Sequence, residues 1–372
     1  MKTFKQLGVK DNFIKALSEI NINKPSEIQE RAIPFLIEDG RDFIGQAQTG
    51  TGKTAAFGLP LLQRMDSNDS SVQALVLSPT RELCQQIQKQ LFKFTKFTQG
   101  IFSVAVYGGD KIDNQIRLLS RPTQIVVATP GRLIDLLDRK ALDLSQVETI
   151  VLDEADEMLS MGFKEELERI LKYTEGSRNT WLFSATLPPN LKEIVSKYMS
   201  EDAFKVEINK RNVVNSAIEH QFVTCEPNFK FQTLIQFIKI HGKDSGIIFC
   251  RTKAGTQKLV DQLLSKNYSV AAIHGDLQQR EREKTMRAFK SHKIQLMVTT
   301  DVSARGIDID DLNFVVHYDL PEKMEYYTHR SGRTARAGKK GMSLSIISSS
   351  EVRKIRKLEQ SLNIKFTRIT AK

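Results

Sequence analysis

The sequence predicts an α/β protein of two tandem domains, each a mostly parallel sheet with helices on both faces. Three observations lead there. The chain has 372 residues, too long for one ordinary core and comfortable for two. Short strand-like runs that are apolar throughout alternate with helical patterns, as expected of strands covered by helices on both sides. That alternation pauses near residue 208 and restarts near 218.

In order, the first half offers the strand candidates FIGQA, ALVLSPT, SVAVYGG, QIVVATP, TIVLDEAD and TWLFSAT. Helical stretches separate them. In LCQQIQKQLFKF, for example, Leu83, Ile87, Leu91 and Phe94 fall on one face, and EMLSMGFKEELERIL reads as one helix with acids in its first turn. The second half repeats the rhythm with IEHQFVTC, GIIFCRT, SVAAIHG, IQLMVTTD, FVVHYDL and GMSLSII; the helix after the second of these shows Leu259, Val260, Leu263 and Leu264. The expected division is therefore residues 1–208, a linker over 209–217 built on NKRNVVNS, and residues 218–372. Such a short linker would hold the two domains side by side with a cleft between them. The basic tail EVRKIRKLEQSLNIKF reads as a closing helix, with Val352, Ile355, Leu358 and Leu362 inward and Arg353, Lys354, Arg356 and Lys357 outward.

Composition narrows the function classes. With 40% hydrophobic and 27% charged residues the chain is neither disordered nor of low complexity. No apolar run reaches the eighteen or so residues a bilayer needs, so no membrane role is expected. Cys84, Cys225 and Cys250 are odd in number and far apart, which points away from a disulfide framework or a zinc site and toward a reducing cytoplasm. Residues 1–208 carry 26 Lys and Arg against 28 Asp and Glu, and residues 209–372 carry 29 against 16. The whole basic excess thus lies in the second half, as expected of a polyanion-binding domain.

The chemistry sits at the expected carboxyl ends of strands, where open α/β sheets collect ligands. After FIGQ comes AQTGTGKT, a phosphate-binding loop whose first glycine is replaced by Ala47. Gly50 and Gly52 let successive N–H groups face a phosphate at a helix N-terminus. Lys53 would neutralise the β- and γ-phosphates and Thr54 would ligate Mg²⁺. A second metal ligand is needed at another strand end, and TIVLDEAD supplies it: Asp153 for the metal, Glu154 to orient and deprotonate the attacking water. The alternative for these acids is helix capping alone.

DEAD beside AQTGTGKT resembles the DEAD-box family of ATP-dependent RNA helicases, of the compact bacterial type, and the match runs through nearly the whole chain. PTREL, Gly108-Gly109, TPGR, DEAD, SAT, IIFCRTK, HGDLQQRER, TDVSARGID and HRSGRTARAG follow in the family's order. The resemblance implies two tandem RecA-like domains, ATP and Mg²⁺ as cofactors, and RNA bound without sequence preference. It assigns ATP binding to Phe4, which would stack on adenine, to Gln29 in KPSEIQ, to Ala47, Gln48, Thr49, Gly50, Thr51, Gly52, Lys53 and Thr54, and to Asp308 on the ribose. Arg333 and Arg336 would be arginine fingers, joining Lys53, Asp153 and Glu154 in catalysis; Ser331 and Ala335 stand where Ile and Gly are often seen. Asp156, Ser184, Thr186 and His329 would couple the nucleotide side to the RNA side, with Glu157 left as helix surface. Pro79, Thr80, Arg81, Gly108, Gly109, Thr129, Pro130, Gly131 and Arg132 from the first domain, and Arg251, Thr252, Gly275 and Thr300 from the second, would line the RNA track.

The implied mechanism is cooperative closure of the two domains on ATP and single-stranded RNA, which bends one strand and separates short duplexes. The core is expected to be monomeric, with ribonucleoprotein or RNA-decay partners left open. Two rivals carry different predictions. A DNA translocase would unwind long DNA directionally, and a non-catalytic RNA clamp would need damage at Lys53, Glu154 or Arg336.

Overall fold

The computed structural model describes residues 2–370 apart from 49, 175, 177, 209–216, 305–311, 323 and 336–339. The chain divides into two compact units, Met1–Asn209 and Lys210–Lys372. Most of the expected linker, residues 209–216, lies outside the described residues.

In unit 1 the strands are β1 (Phe43–Gln46), β2 (Ala74–Leu77), β3 (Ser103–Val106), β4 (Ile125–Ala128), β5 (Thr149–Asp153), β6 (Asn179–Ser184) and β7 (Phe204–Glu207). They form one seven-stranded sheet in the order β3-β4-β2-β5-β6-β1-β7, parallel at every pairing. The helices are α1 (Asp11–Glu19), α2 (Glu27–Glu38), α3 (Lys53–Arg64), α4 (Arg81–Phe94), α5 (Ile112–Leu119), α6 (Pro130–Asp138), α7 (Ala155–Ser160), α8 (Lys164–Tyr173) and α9 (Pro189–Tyr198). Two separate apolar clusters receive alternate residues of the same strands, Leu75 and Leu77 in one and Ala74 and Val76 in the other. Each face of the sheet thus has its own core, which is why these strands are apolar throughout.

Unit 2 repeats the plan with β8 (Ile218–Thr224), β9 (Gly246–Phe249), β10 (Val270–Ile273), β11 (Leu296–Thr299), β12 (Phe314–His317), β13 (Gly341–Ile347) and β14 (Phe366–Arg368). Their order is β10-β11-β9-β12-β13-β8-β14, again parallel. Its helices are α10 (Lys230–His241), α11 (Lys253–Leu264), α12 (Gln279–Lys290), α13 (Asp301–Ala304), α14 (Met324–Ser331) and α15 (Val352–Leu362).

Several expectations need amendment. EMLSMGFKEELERIL is two helices, α7 and α8, because Gly162 takes φ +90° and turns the chain out of the first. Leu264 is 50% exposed although Leu259, Val260 and Leu263 are buried; one residue past Leu263 it has rotated off the inner face. The tail helix packs Ile355, Leu358 and Leu362 inward as expected but stops at Asn363 (φ +51°), after which Phe366–Arg368 joins the sheet as β14. Both β7 and β14 are edge strands of three or four residues with exposed positions, too short and too polar to stand out in a sequence.

Candidate ATP and RNA site

The sheet order sorts motifs that are interleaved in the sequence. In unit 1 the segments carrying AQTGTGKT, SAT and DEAD follow the adjacent strands β1, β6 and β5. PTREL, TPGR and Gly108-Gly109 follow β2, β4 and β3, on the other side of β5. All six leave at carboxyl ends of parallel strands, so two groups of polar residues share one edge of the sheet.

The phosphate loop is held at both ends. Ala47 N–H donates to the Ser184 carbonyl at 2.9 Å, which ties the loop to the SAT strand. Lys53 opens α3 and is buried, its Nζ donating to the Ala47 carbonyl at 3.0 Å, so the ammonium is already folded back over the loop. Thr51 Oγ1 donates to the Gln48 carbonyl at 2.8 Å, and Thr54, the second residue of α3, is half-buried. Gly50 (φ +79°) and Gly52 (φ +91°) take the left-handed turns the loop needs. At Gly52 a Cβ would also collide with the Gln29 amide.

That amide connects the expected adenine-reading segment to the loop. Gln29 Oε1 accepts from Ser26 N–H at 2.9 Å and Nε2 donates to the Gly52 carbonyl at 2.9 Å. One N–H and one lone pair of the amide remain, the pair of groups an adenine edge requires. Phe4 is a correction: it is 3% exposed, inside the apolar core that also holds Leu7, Val9 and Phe13. Burying the ring gains more than holding it out for a base, so Phe4 anchors the N-terminal turn.

At the end of β5 the four acids separate. Asp153 is 3% exposed, and burial pushes its carboxyl up to about 7; Lys53 opposes the shift and Glu154 adds to it. Its Oδ1 accepts from Glu154 N–H at 3.1 Å. Glu154 itself is half-buried and left-handed, φ +51° and ψ +49°, a conformation that the sequence does not announce. Asp156 Oδ2 accepts from both Thr186 N–H (2.9 Å) and Thr186 Oγ1 (2.8 Å), while Asp156 N–H donates to Ser184 Oγ at 3.2 Å. DEAD and SAT are thus joined within one unit. Glu157, expected on the helix surface, is 6% exposed and accepts from Ser160 Oγ at 3.0 Å, so it is part of the interior.

Asp153 gives a stability prediction whose sign follows from its shift. The folded-state value lies above the ordinary carboxylate value, so the contribution of Asp153 to stability is lost as pH rises from about 4 to about 7. Asp153→Asn, which does not titrate, is therefore expected to melt about 5 °C higher than wild type at pH 8 without nucleotide. That gain should shrink as pH falls below 6, and scanning fluorimetry at the two pH values checks it.

On the other side of β5, Pro79 and Thr80 are buried and Thr80 caps α4, its Oγ1 accepting from Leu83 N–H at 3.3 Å. Gly109 has φ +88°, and a Cβ there would strike the Arg81 guanidinium, which brings PTREL against the glycine pair. Arg132 donates to Gln115 Oε1 at 2.8 Å and to the Asp110 carbonyl at 3.0 Å. Thr129 and Pro130 start α6, while Gly131 and Gly108 stand with nothing near their Cβ positions. Gln115 is a residue that sequence reasoning missed. It is 1% exposed, and its amide also donates to the Tyr107 carbonyl at 3.0 Å, holding the glycine turn; no short motif marks it.

Unit 2 places Arg251, Thr252, Gly275 and Thr300 after the neighbouring strands β9, β10 and β11. Arg251 and Thr252 are exposed, with Arg251 N–H donating to Asp319 Oδ2 at 3.0 Å and Thr252 capping α11. Gly275 is exposed beside Lys253, and Thr300 is buried with its hydroxyl 3.2 Å from Ser303 Oγ. His329 and Arg333 are half-buried, at α14 and just beyond its end. Thr49, Asp308 and Arg336 lie outside the described residues. The neighbouring Arg330, which carried no expected role, is 2% exposed, forks onto Asp301 (Nη2 to Oδ2 2.7 Å) and donates to the Asp319 carbonyl at 2.7 Å.

A buried carboxyl whose charge is disfavoured, within the field of the Lys53 ammonium of a phosphate loop that also carries Thr54, fits a Mg²⁺·nucleotide. Among the described residues no cluster of three or more His, Cys, Asp or Glu could hold a metal by itself. A cation here would share its ligands with phosphate and water, which is how Mg²⁺ is usually held. Among the described residues no helix is long and apolar enough to cross a membrane.

Comparison with known proteins agrees with this geometry. Residues 26–194 match the DEAD/DEAH box helicase family and residues 229–338 the helicase conserved C-terminal domain. The chain is 41% identical over 362 residues to the ATP-dependent RNA helicase CshA of Limosilactobacillus reuteri, covering 97% of this chain and 72% of that protein. Its match to CshA of Listeria monocytogenes is 42% over 361 residues, with coverage of 97% and 69%. Among solved structures it is similar to S. cerevisiae Dbp5 bound to RNA and ADP BeF3, with a TM-score of 0.91 and 34% identity over 100% of this chain and 96% of that one. Mss116p bound to ssRNA and AMP-PNP gives 0.87 and 30%, with coverage of 99% and 80%. These matches span both units, so the two sheets are tandem RecA-like domains and the chain belongs to the DEAD-box helicase family.

Proposed function

We propose that this protein is an ATP-dependent RNA helicase that binds RNA without sequence preference and separates short duplexes, or remodels RNA-protein complexes, as it hydrolyses ATP to ADP and phosphate. The observation that carries this reading is the sorted strand-end edge of unit 1, where Ala47 N–H ties the phosphate loop to the SAT strand, Lys53 acts electrostatically on the buried Asp153, and Asp156 bonds SAT.

The residues then take these parts. Lys53 neutralises the β- and γ-phosphates, Gln29 reads the adenine edge, and Glu154 accepts a proton from the attacking water. Thr54 and Asp153 would hold Mg²⁺, which when bound screens charge on the β- and γ-phosphate oxygens. Arg333 and Arg336 supply positive charge to the transition state, and Asp308 takes a ribose hydroxyl. Arg81, the Gly108-Gly109 turn, Thr129, Arg132, Arg251, Thr252, Gly275 and Thr300 present guanidinium, hydroxyl and N–H groups to phosphates and 2′-OH groups, which is contact indifferent to base identity. Asp156, Ser184, Thr186 and His329 transmit closure between the nucleotide and RNA sides. Domain limits of 1–208 and 218–372 with a linker over 209–217 belong to the same proposal. So does residence in the cytoplasm, supported by three cysteines that are free thiols.

The test is ATP turnover and strand separation with matched RNA and DNA duplexes of about ten base pairs. RNA is expected to stimulate ATP hydrolysis and be unwound. Hydrolysis indifferent to RNA would overturn the coupling of turnover to RNA, and directional unwinding of long DNA would overturn the reading in favour of a translocase.

A further inference from the structure

Beneath α14 runs a buried polar chain that neither ATP nor RNA contacts require. His317, the last residue of β12, is fully buried. Its Nδ1 lies 3.4 Å from Arg330 Nη1, and its Nε2 lies 3.1 Å from Ser343 Oγ and 3.3 Å from Ser331 Oγ. A guanidinium has only donors, so Nδ1 accepts and the ring proton resides on Nε2, aimed at the two hydroxyls. The imidazole is neutral: burial first, then the Arg330 cation, holds it well below the usual histidine range. Ser331 Oγ and Ser343 Oγ are 2.9 Å apart. The Tyr327 hydroxyl is 3.2 Å from Ser343 Oγ and 2.6 Å from His220 Nδ1, and its ring stacks on His317 with centroids 4.6 Å apart.

Tyr327, Arg330 and Ser331 are spaced i, i+3, i+4, so they share the inner face of α14. Through this chain that face is bonded to three strands: β8 by His220, β12 by His317 and β13 by Ser343. An apolar face can rotate or slide by a fraction of a turn at little cost, because burial and dispersion are non-directional. Hydrogen bonds have a narrow range of length and angle, and a buried group that loses its partner is penalised in full. Well-packed apolar residues would serve stability as well as a buried polar network does. What the network adds is a single axial and rotational setting of the helix, and Arg333 stands two residues beyond Ser331.

We propose that His317, Ser331 and Ser343 form a positioning set that fixes the register of α14 on its sheet and so delivers Arg333 to the phosphate. The inference rests on the reading of Arg333 as an arginine finger.

The test is a double-mutant cycle on RNA-saturated ATP hydrolysis by the full chain, with variants Ser331→Ala, Ser343→Ala, Arg333→Ala and Ser331→Ala/Arg333→Ala. Loss of one hydroxyl is expected to lower kcat about ten-fold while KM for ATP and the RNA Kd stay within about two-fold. In the Arg333→Ala background, Ser331→Ala should change kcat less than about two-fold, since there is no finger left to misplace. The inference is overturned if the two reductions multiply, or if Ser331→Ala and Ser343→Ala lower Tm while kcat holds. His317→Gln, which keeps a donor near Nε2, should retain more kcat than His317→Leu; equal loss would also overturn it. An Arg333→Ala enzyme with wild-type kcat would instead refute the finger assignment, and the positioning set with it.

Discussion

Arg333→Ala is expected to lower RNA-saturated kcat by about 10³- to 10⁵-fold, the range over which arginine fingers act. In phosphoryl transfer the protein does little covalent work, so the barrier responds mainly to charge placed around the equatorial oxygens in a water-poor site. Arg333 follows a helix whose inner face is pinned by Tyr327, Arg330 and Ser331, so truncating it should leave the scaffold in place. ATP and RNA affinities measured at equilibrium should therefore change by less than about ten-fold, and Tm by no more than about 2 °C. Arg336→Ala is expected to behave alike. Single-turnover hydrolysis under saturating RNA checks the result, and near-wild-type turnover by either variant would remove that arginine from the mechanism.

Glu154→Gln is expected to reduce kcat by about 10²- to 10⁴-fold, the contribution of a positioned general base, with ATP and RNA binding retained. The substitution keeps the volume and hydrogen-bonding reach of the side chain and removes only its capacity to take a proton. The backbone gives an independent control. Glu154 adopts φ +51°, held there because its carbonyl accepts from Glu157 N–H (3.0 Å) and Met158 N–H (3.1 Å) in the first turn of α7. Glu154→Gly should relieve that conformation and stabilise the domain by about 1 kcal/mol while losing turnover as fully as Gln does. If Glu154→Gly retained turnover, the carboxylate would not be the base; if it were destabilised, the strained turn would not be where the structure places it. Sensitivity to Glu154 at the end of β5 and to Arg333 beyond α14 would together show that each unit carries part of the ATPase.

Much of this protein is legible in one dimension. Strand-helix alternation with uniformly apolar strands specified two parallel α/β sheets, because a strand covered on both faces has no polar side to show. The phosphate loop and the DEAD acids were legible because phosphate chemistry demands particular residues at fixed short spacings, and SAT was legible through the family resemblance alone. Residues whose importance comes from distant neighbours were not legible. Glu157 looks like helix surface and is interior; Phe4 looks available for stacking and is core; Gln115 and His317 belong to no short motif, and Arg330, inside HRSGRTARAG, carried no expected role, yet they hold the glycine turn, α14 and Asp301. The short edge strands β7 and β14 depend on a neighbouring strand for every ladder hydrogen bond they make, so nothing local specifies them.

By itself, then, the sequence determined the fold class, the family and the chemical inventory: a phosphate loop, an acidic strand end, a basic second half and paired arginines. Only the tertiary structure decided how that inventory is sorted. Along the chain PTREL, Gly108-Gly109 and TPGR lie between the phosphate loop and DEAD, but the strand order β3-β4-β2-β5-β6-β1-β7 places them on one side of β5 and the phosphate loop and SAT on the other. The physical reason is that a parallel sheet places its neighbours by crossover connections rather than by chain order, so residues far apart in sequence meet at adjacent strand ends. The Asp153 carboxyl, pushed up to about 7 by burial, is the product of that sorting, since a carboxylate at a solvent-facing strand end would have kept its ordinary value.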